Sequence, residues 1–124
     1  MAYLLVFVGG GIGAAVRYAV NRAALALLGG GFPFGTIVVN VVGSYLMGVL
    51  AGLLLTKGLD EDPVRLFLTT GVLGGFTTFS AFSLDVALMW QRGELVPLGI
   101  YMAASVFGSI GALFLGLATA RVLA

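Results

Sequence analysis

Four apolar runs, each long enough to cross a bilayer, constrain this chain before any single residue does. They cover about residues 3–28, 34–56, 63–90 and 95–121, and each exceeds the ~20 residues that carry a helix across a hydrocarbon core of ~30 Å. Between them lie Gly29-Gly-Gly-Phe-Pro33, Lys57-Gly-Leu-Asp-Glu-Asp-Pro63, and Gln91-Arg-Gly-Glu94 ahead of Pro97. Glycine, proline and charge are what the ends of helices carry. The expected fold is all-α, a single integral membrane unit of four transmembrane helices whose outer partner is the lipid bilayer. Only 9% of the 124 residues are charged, against roughly 25% in a soluble domain. The N-terminus lacks a basic stretch and an evident small-residue cleavage site, so the first run is expected to be a span and not a signal peptide.

The third run contains the least ordinary stretch, Gly71-Val-Leu-Gly-Gly-Phe-Thr-Thr-Phe-Ser-Ala-Phe-Ser83. A helix that only anchors is mostly Leu, Ile and Val, whereas this one joins glycines to a row of rings and a row of hydroxyls. The helix is expected to break at Gly74-Gly75. Irregular backbone at membrane depth is tolerated only where it is buried in protein or lines a hydrated path, so the stretch reads as the working part of a channel or transporter. Tight helix packing through small residues is the competing reading. Carbonyls freed by such a break can coordinate a hard cation such as Na⁺. Phe79 and Phe82 lie three apart on one helical face. A ring edge is positive and its face negative, so rings met edge-on suit an anion without trapping it, although a Phe stripe also serves core packing.

The other runs each hold a few polar residues. In the first, Gly9 and Gly13 form a small-residue step for close helix approach, and Arg17 follows two turns later. Arg17 is either a vestibule charge that attracts anions or a side chain that reaches for the headgroups. In the second, Asn40 stands among Ile37, Val38, Val39, Val41 and Val42. An unpaired amide there costs several kcal/mol, so it faces a partner helix or a hydrated ion. Gly43, Ser44, Gly48 and Gly52 mark a packing face of the same helix. In the fourth, Tyr101, Ser105 and Ser109 recur at i, i+4 and i+8, a hydroxyl row down one face. Such a row can replace water around an anion or bond back to helix carbonyls. Asp85 is the one acid well inside a span and is expected to pair with Arg92 or another interfacial arginine.

Charge and chemistry exclude several classes. Net charge is +1 with no basic run, which argues against a nucleic-acid partner. There is no Cys and no His, so disulfides, thiolate sites and imidazole proton relays are absent. No nucleophile–base pair, carboxylate pair or phosphate loop appears, and an enzyme is not expected. With four spans, one side carries Lys57, Arg65 and Arg121 and the other Arg17, Arg22 and Arg92. Orientation follows Lys/Arg asymmetry, and three against three gives none. Such a chain suits insertion both ways and pairing as an antiparallel homodimer, or else is weakly biased and oriented by its partner.

The chain resembles the Fluc/CrcB family of fluoride channels over essentially its whole length. Gly9-Gly-Gly-Ile-Gly-Ala-Ala-Val-Arg-Tyr18, Asn40-Val-Val-Gly-Ser44 and Gly71-Val-Leu-Gly-Gly-Phe-Thr-Thr-Phe-Ser-Ala-Phe82 carry the likeness, the last most specifically. The resemblance implies a dual-topology, antiparallel homodimer with two pores that exports fluoride passively from the prokaryotic cytoplasm across the plasma or inner membrane. It implies that Phe79 and Phe82 line the fluoride path, that Asn40 is its amide and Arg17 its vestibule arginine. Ser80 and Ser109 match the family's hydroxyl track, with Tyr101 and Ser105 beside it. A structural Na⁺ at the dimer centre is implied, held by backbone carbonyls that map to Gly74 and Thr77. Ala81 departs from relatives that carry a Thr there to extend the track.

Two other functions remain in view at this stage. A small dual-topology proton-coupled drug antiporter has this size but needs a buried carboxylate in its first helix, and residues 3–28 contain no Asp or Glu. A non-conducting structural membrane subunit would have no use for Asn40 or the Thr/Ser/Phe pattern.

Overall fold

The computed structural model describes residues 1–56 and 62–123, whose regular structure is helical throughout. Helix α1 spans Ala2–Leu28 and closes on Gly29, whose φ of 80° lets its N–H turn back to the Leu25 carbonyl. Pro33 ends the connection, and α2 runs Phe34–Thr56. Residues 57–61 lie outside the described residues, and with them Lys57 and its place in the charge balance. Asp62 caps the next helix by accepting the Val64 N–H at 2.7 Å, with Pro63 in the first position, where its missing donor does no harm.

This helix, α3, covers residues 63–76. Its middle, Leu66–Leu73, is wound as a π-helix, and Gly74–Phe76 returns to α geometry. The chain is then non-helical at 77–79, with Thr77 extended at φ −85° and ψ 157°. Helix α4 follows at Ser80–Gln91, and α5 at Leu95–Leu123 after a turn through Gly93 at φ 73°. At 1.5 Å per residue, neither α3 nor α4 alone reaches across ~30 Å of hydrocarbon; together they make one interrupted span. Among the described residues, four segments are thus long and apolar enough to cross a membrane: Ala2–Leu28, Phe34–Leu54, Pro63–Gln91 and Leu95–Leu123.

The break is not where the glycines suggested. Gly74 keeps helical angles of φ −62° and ψ −39°, and the helix ends two residues later, at Phe76. Gly75 is there for contact: a Cβ on it would strike the Gly10 backbone of α1. Opposite it, a Cβ on Gly13 would strike the backbone of Val72 and Phe76. What ends the helix is the Thr77-Thr78 pair and its side-chain hydrogen bonds, since local side-chain partners compete with the backbone ladder.

Small residues also set the other main contact. Gly48 of α2 meets Leu113 and the Gly116 Cα of α5, and Gly52 meets the Ala120 methyl. Without a hydrophobic drive between helices in lipid, close van der Waals approach holds them together. Two small apolar clusters fill the interior. Val39, Leu73 and Phe76 pack where α2 crosses α3, and Phe82, Met89, Leu98 and Tyr101 pack between α4 and α5.

Gly48→Val should therefore push α5 off α2 and cost about 1–3 kcal/mol or more. Gly111→Val, where nothing lies within 4 Å, should leave stability unchanged. Thermal unfolding of the two variants in detergent checks this, and equal melting points would contradict it.

Candidate functional site

The site grows out of the backbone groups that the break leaves without helical partners. Thr77 donates its N–H at 3.0 Å and its hydroxyl at 2.9 Å to the Leu73 carbonyl, which closes the last turn of α3. Asn40, reaching across from α2, takes the next residue at both ends. Its Oδ1 accepts the Thr78 N–H and its Nδ2 donates to the Thr78 carbonyl, both at 2.8 Å. A single amide thereby replaces two lost ladder bonds. The Thr78 hydroxyl accepts the Ala81 N–H at 3.2 Å and caps α4 from within the break. Ser83 donates its hydroxyl to the Phe79 carbonyl at 3.0 Å.

Arg17 is drawn into the same structure. Its Nε donates to the Gly75 carbonyl at 3.1 Å, which sets a cation against the negative end of α3. Arg17 is half-buried and is not among the residues that line the groove of Asn40, Phe79 and Phe82. Three carbonyls at the break stay without a donor among the described residues, those of Gly74, Phe76 and Thr77. The helical donors of Gly74 and Thr77 would be the N–H groups of Thr78 and Ala81, and both are given to side chains instead.

A groove of about 320 Å³ opens beside the break. Asn40 and Ser44 of α2, Phe79 and Phe82 of the broken span, and Ser105 and Ser109 of α5 line it, together with Thr77, Thr78 and two aliphatic side chains. The Phe79 and Phe82 rings are 5.5 Å apart and inclined at 44°. Phe82 is 7% exposed and packed into the core, whereas Phe79 is 76% exposed at the open side. The Ser105 and Ser109 hydroxyl oxygens are buried with no hydrogen-bond partner among the described residues. A buried hydroxyl without a partner calls for an explanation.

The groove thus gathers Asn40, Phe79, Phe82, Ser105 and Ser109 from the expected set and leaves out Ser80, Tyr101 and Arg17. Ser80 is exposed, 3.3 Å from the Thr78 hydroxyl. Tyr101 stands behind Phe82, ring centroids 5.2 Å apart, and its hydroxyl donates to Asp85 Oδ2 at 2.8 Å. Thr36 donates to the same oxygen at 3.0 Å. Asp85 therefore pairs with two hydroxyls and not with Arg92, whose Nε meets Glu94 at 3.2 Å in the turn between α4 and α5. Arg92 is two residues from Glu94 across a tight turn, while Asp85 lies two helical turns back.

Sequence reasoning had not singled out Ser44 or Thr36 as parts of a site. Ser44 follows Asn40 by one helical turn on the same face, and Thr36 precedes it by one turn, so the i±4 spacing around Asn40 was the available signal. Beyond the Phe82–Tyr101 pair lies a second cavity of about 200 Å³, bordered by Asn21, Thr36, Asp85 and the 29–34 connection. Phe32 borders it and meets the Tyr101 ring edge-on at 5.7 Å, so the aromatic wall Phe82–Tyr101–Phe32 separates the two spaces.

The family model for the CrcB-like protein, Camphor Resistance (CrcB), matches residues 4–117. The chain belongs to the CrcB family. Curated relatives cover nearly all of it. Fluoride-specific ion channel FluC 2 of Nitrobacter hamburgensis is 54% identical over 98% of both chains. Fluoride-specific ion channel FluC of Mesorhizobium japonicum is 54% identical, and that of Rhizobium etli 55%, each over 97% of this chain and 96% of its own. The CrcB match embraces α1, α2, the broken span and most of α5, so every residue of the groove falls inside it.

Removing a hydroxyl that has no partner costs the fold nothing, and the CrcB groove offers two. Ser105→Ala and Ser109→Ala should be neutral or slightly stabilising in a thermal melt, whereas Tyr101→Phe, which strips a hydrogen bond from Asp85, should cost about 1 kcal/mol or more. Destabilised serine variants beside an unaffected Tyr101→Phe would contradict these hydrogen-bond assignments.

Proposed function

We propose that this protein is a fluoride-selective channel that exports F⁻ passively from the cytoplasm and thereby lowers fluoride toxicity. The near-full-length match to proteins named fluoride-specific ion channels carries this reading. The groove supplies a physical basis. Two serine hydroxyls without partners and the Asn40 amide offer donors to an anion, while Phe79 and Phe82 offer ring edges. None of these groups carries a full charge, and conduction needs binding weak enough for release. The proposed path runs from Asn40 and Ser44 past Phe79 and Phe82 along Ser105 and Ser109. Ser80 and Tyr101 stand at its margins, and Arg17 biases the entrance toward anions.

Passive flow is sufficient. HF enters uncharged from acidic surroundings and dissociates at neutral pH, trapping F⁻ inside. A membrane potential negative inside drives the anion out at ~2.3 kcal/mol per charge per 100 mV. The protein is a multi-pass membrane channel and not an enzyme; its proposed location is the prokaryotic plasma or inner membrane. The antiporter reading loses further ground because Asp85, the one carboxylate inside the span, is occupied by two hydroxyls. The subunit reading leaves the unpartnered serines unexplained.

An antiparallel homodimer of dual topology is the proposed working form. Phe79, 76% exposed in a single chain, supports it, since a second copy across the open side would complete the path. Na⁺ at the centre of that dimer is the proposed structural ion. The Gly74 and Thr77 carbonyls, uncharged hard oxygens deprived of donors at a helix break, have the chemistry that such an ion needs. When bound, the ion would satisfy these oxygens and tie the two breaks together.

Liposomes loaded with potassium fluoride or chloride, with valinomycin supplying the counter-current, test the function. Fluoride should leave rapidly and chloride should not. Phe79→Ile should cut fluoride flux at least tenfold with the protein still folded, and Ser109→Ala should cut it measurably. Equal chloride release, or full activity in Phe79→Ile, would contradict the proposed path.

A further inference from the structure

We propose that Asn40 and Thr78 build the cation site, by taking away the hydrogen-bond donors that would otherwise occupy its two carbonyls. The inference rests on the sodium reading above and says which side chains make that site possible. In an uninterrupted helix the N–H of residue 78 bonds to the carbonyl of 74, and the N–H of 81 to that of 77. Here Asn40 Oδ1 holds the Thr78 N–H at 2.8 Å, and the Thr78 hydroxyl holds the Ala81 N–H at 3.2 Å.

Four of the five nearby carbonyls are treated differently. Leu73 accepts from Thr77, Gly75 from Arg17, Thr78 from Asn40 and Phe79 from Ser83. Phe76 shares the open state of Gly74 and Thr77, but only at Gly74 and Thr77 do side chains hold the donors that an unbroken helix would supply. Asn40 also lines the groove. One amide therefore faces the anion path and sets the geometry of the cation's ligands, which makes sodium binding and the shape of the path interdependent. Asn40 and Thr78 act on the cation through the backbone, as positioning residues.

Sodium titration of the purified full-length protein, followed by thermal unfolding, tests this without reference to flux. N-methyl-glucamine replaces Na⁺ at constant ionic strength, and a ligand that binds only the folded state raises the melting point with concentration. The wild type should show a sodium-specific rise with a defined midpoint. Asn40→Leu returns the Thr78 N–H to Gly74 and should move that midpoint at least tenfold higher or abolish the response. Thr78→Val should do the same through Thr77, while Thr78→Ser, which keeps the hydroxyl, should retain the wild-type midpoint. A merely structural role would lower the melting point and leave the midpoint alone. If Asn40→Leu does not fold, the Thr78→Val and Thr78→Ser pair decides. Wild-type midpoints in both Asn40→Leu and Thr78→Val would overturn the inference while leaving the sodium reading intact. No sodium-specific response in the wild type would overturn the sodium reading itself, and this inference with it.

Discussion

A peptide group inside hydrocarbon must find a hydrogen-bond partner, and this structure depends on how it meets that demand where its third span is broken. Helix α3 ends at Phe76 and α4 begins at Ser80, so an open break would strand several donors and acceptors at membrane depth. Asn40 repairs one residue at both ends, the two threonines repair the flanking turns, and Arg17 covers the carbonyl of Gly75. These contacts tie α1, α2, α3 and α4 to a single point. The break is consequently a fixed feature of the fold and can hold a selective geometry.

The remainder of the fold brings helices close enough for those bonds to form. Arg17 reaches Gly75 because α1 and α3 pack through Gly9, Gly13, Gly71 and Gly75, with almost no side chain between them. Asn40 reaches Thr78 because Gly43, one turn along α2, makes room for the Thr77 methyl and the Phe76 ring. The π-wound stretch Leu66–Leu73 lies against the same α1 glycines; such windings recur at functional sites. Small residues therefore decide where the chain comes together, and polar residues decide what the meeting point can bind.

The four spans and their membrane character were legible in the sequence because length and apolarity alone demand them. The existence of a break was legible too, but its position was not. Glycine next to glycine reads as a weak point, yet Gly75 is used for contact with Gly10, and contact across helices leaves no mark in a single sequence. The partner of Asp85 was misjudged for a related reason. Arg92 is the nearest cation in sequence, but Thr36 and Tyr101 arrive from α2 and α5. Asn40 was marked at once as a polar residue that needed a partner, while its two-ended grip on Thr78 depends on the tertiary approach of two helices.

The proposed passive path, built on this break, admits fluoride and refuses chloride. Electrical recording from the protein in a planar bilayer, with sodium fluoride and sodium chloride mixed in opposite proportions on the two sides, is the sharpest test. The expected current reverses at the potential of a membrane permeable to fluoride alone and is unchanged by a proton gradient. Reversal at a potential set by chloride, or by the proton gradient, would contradict it.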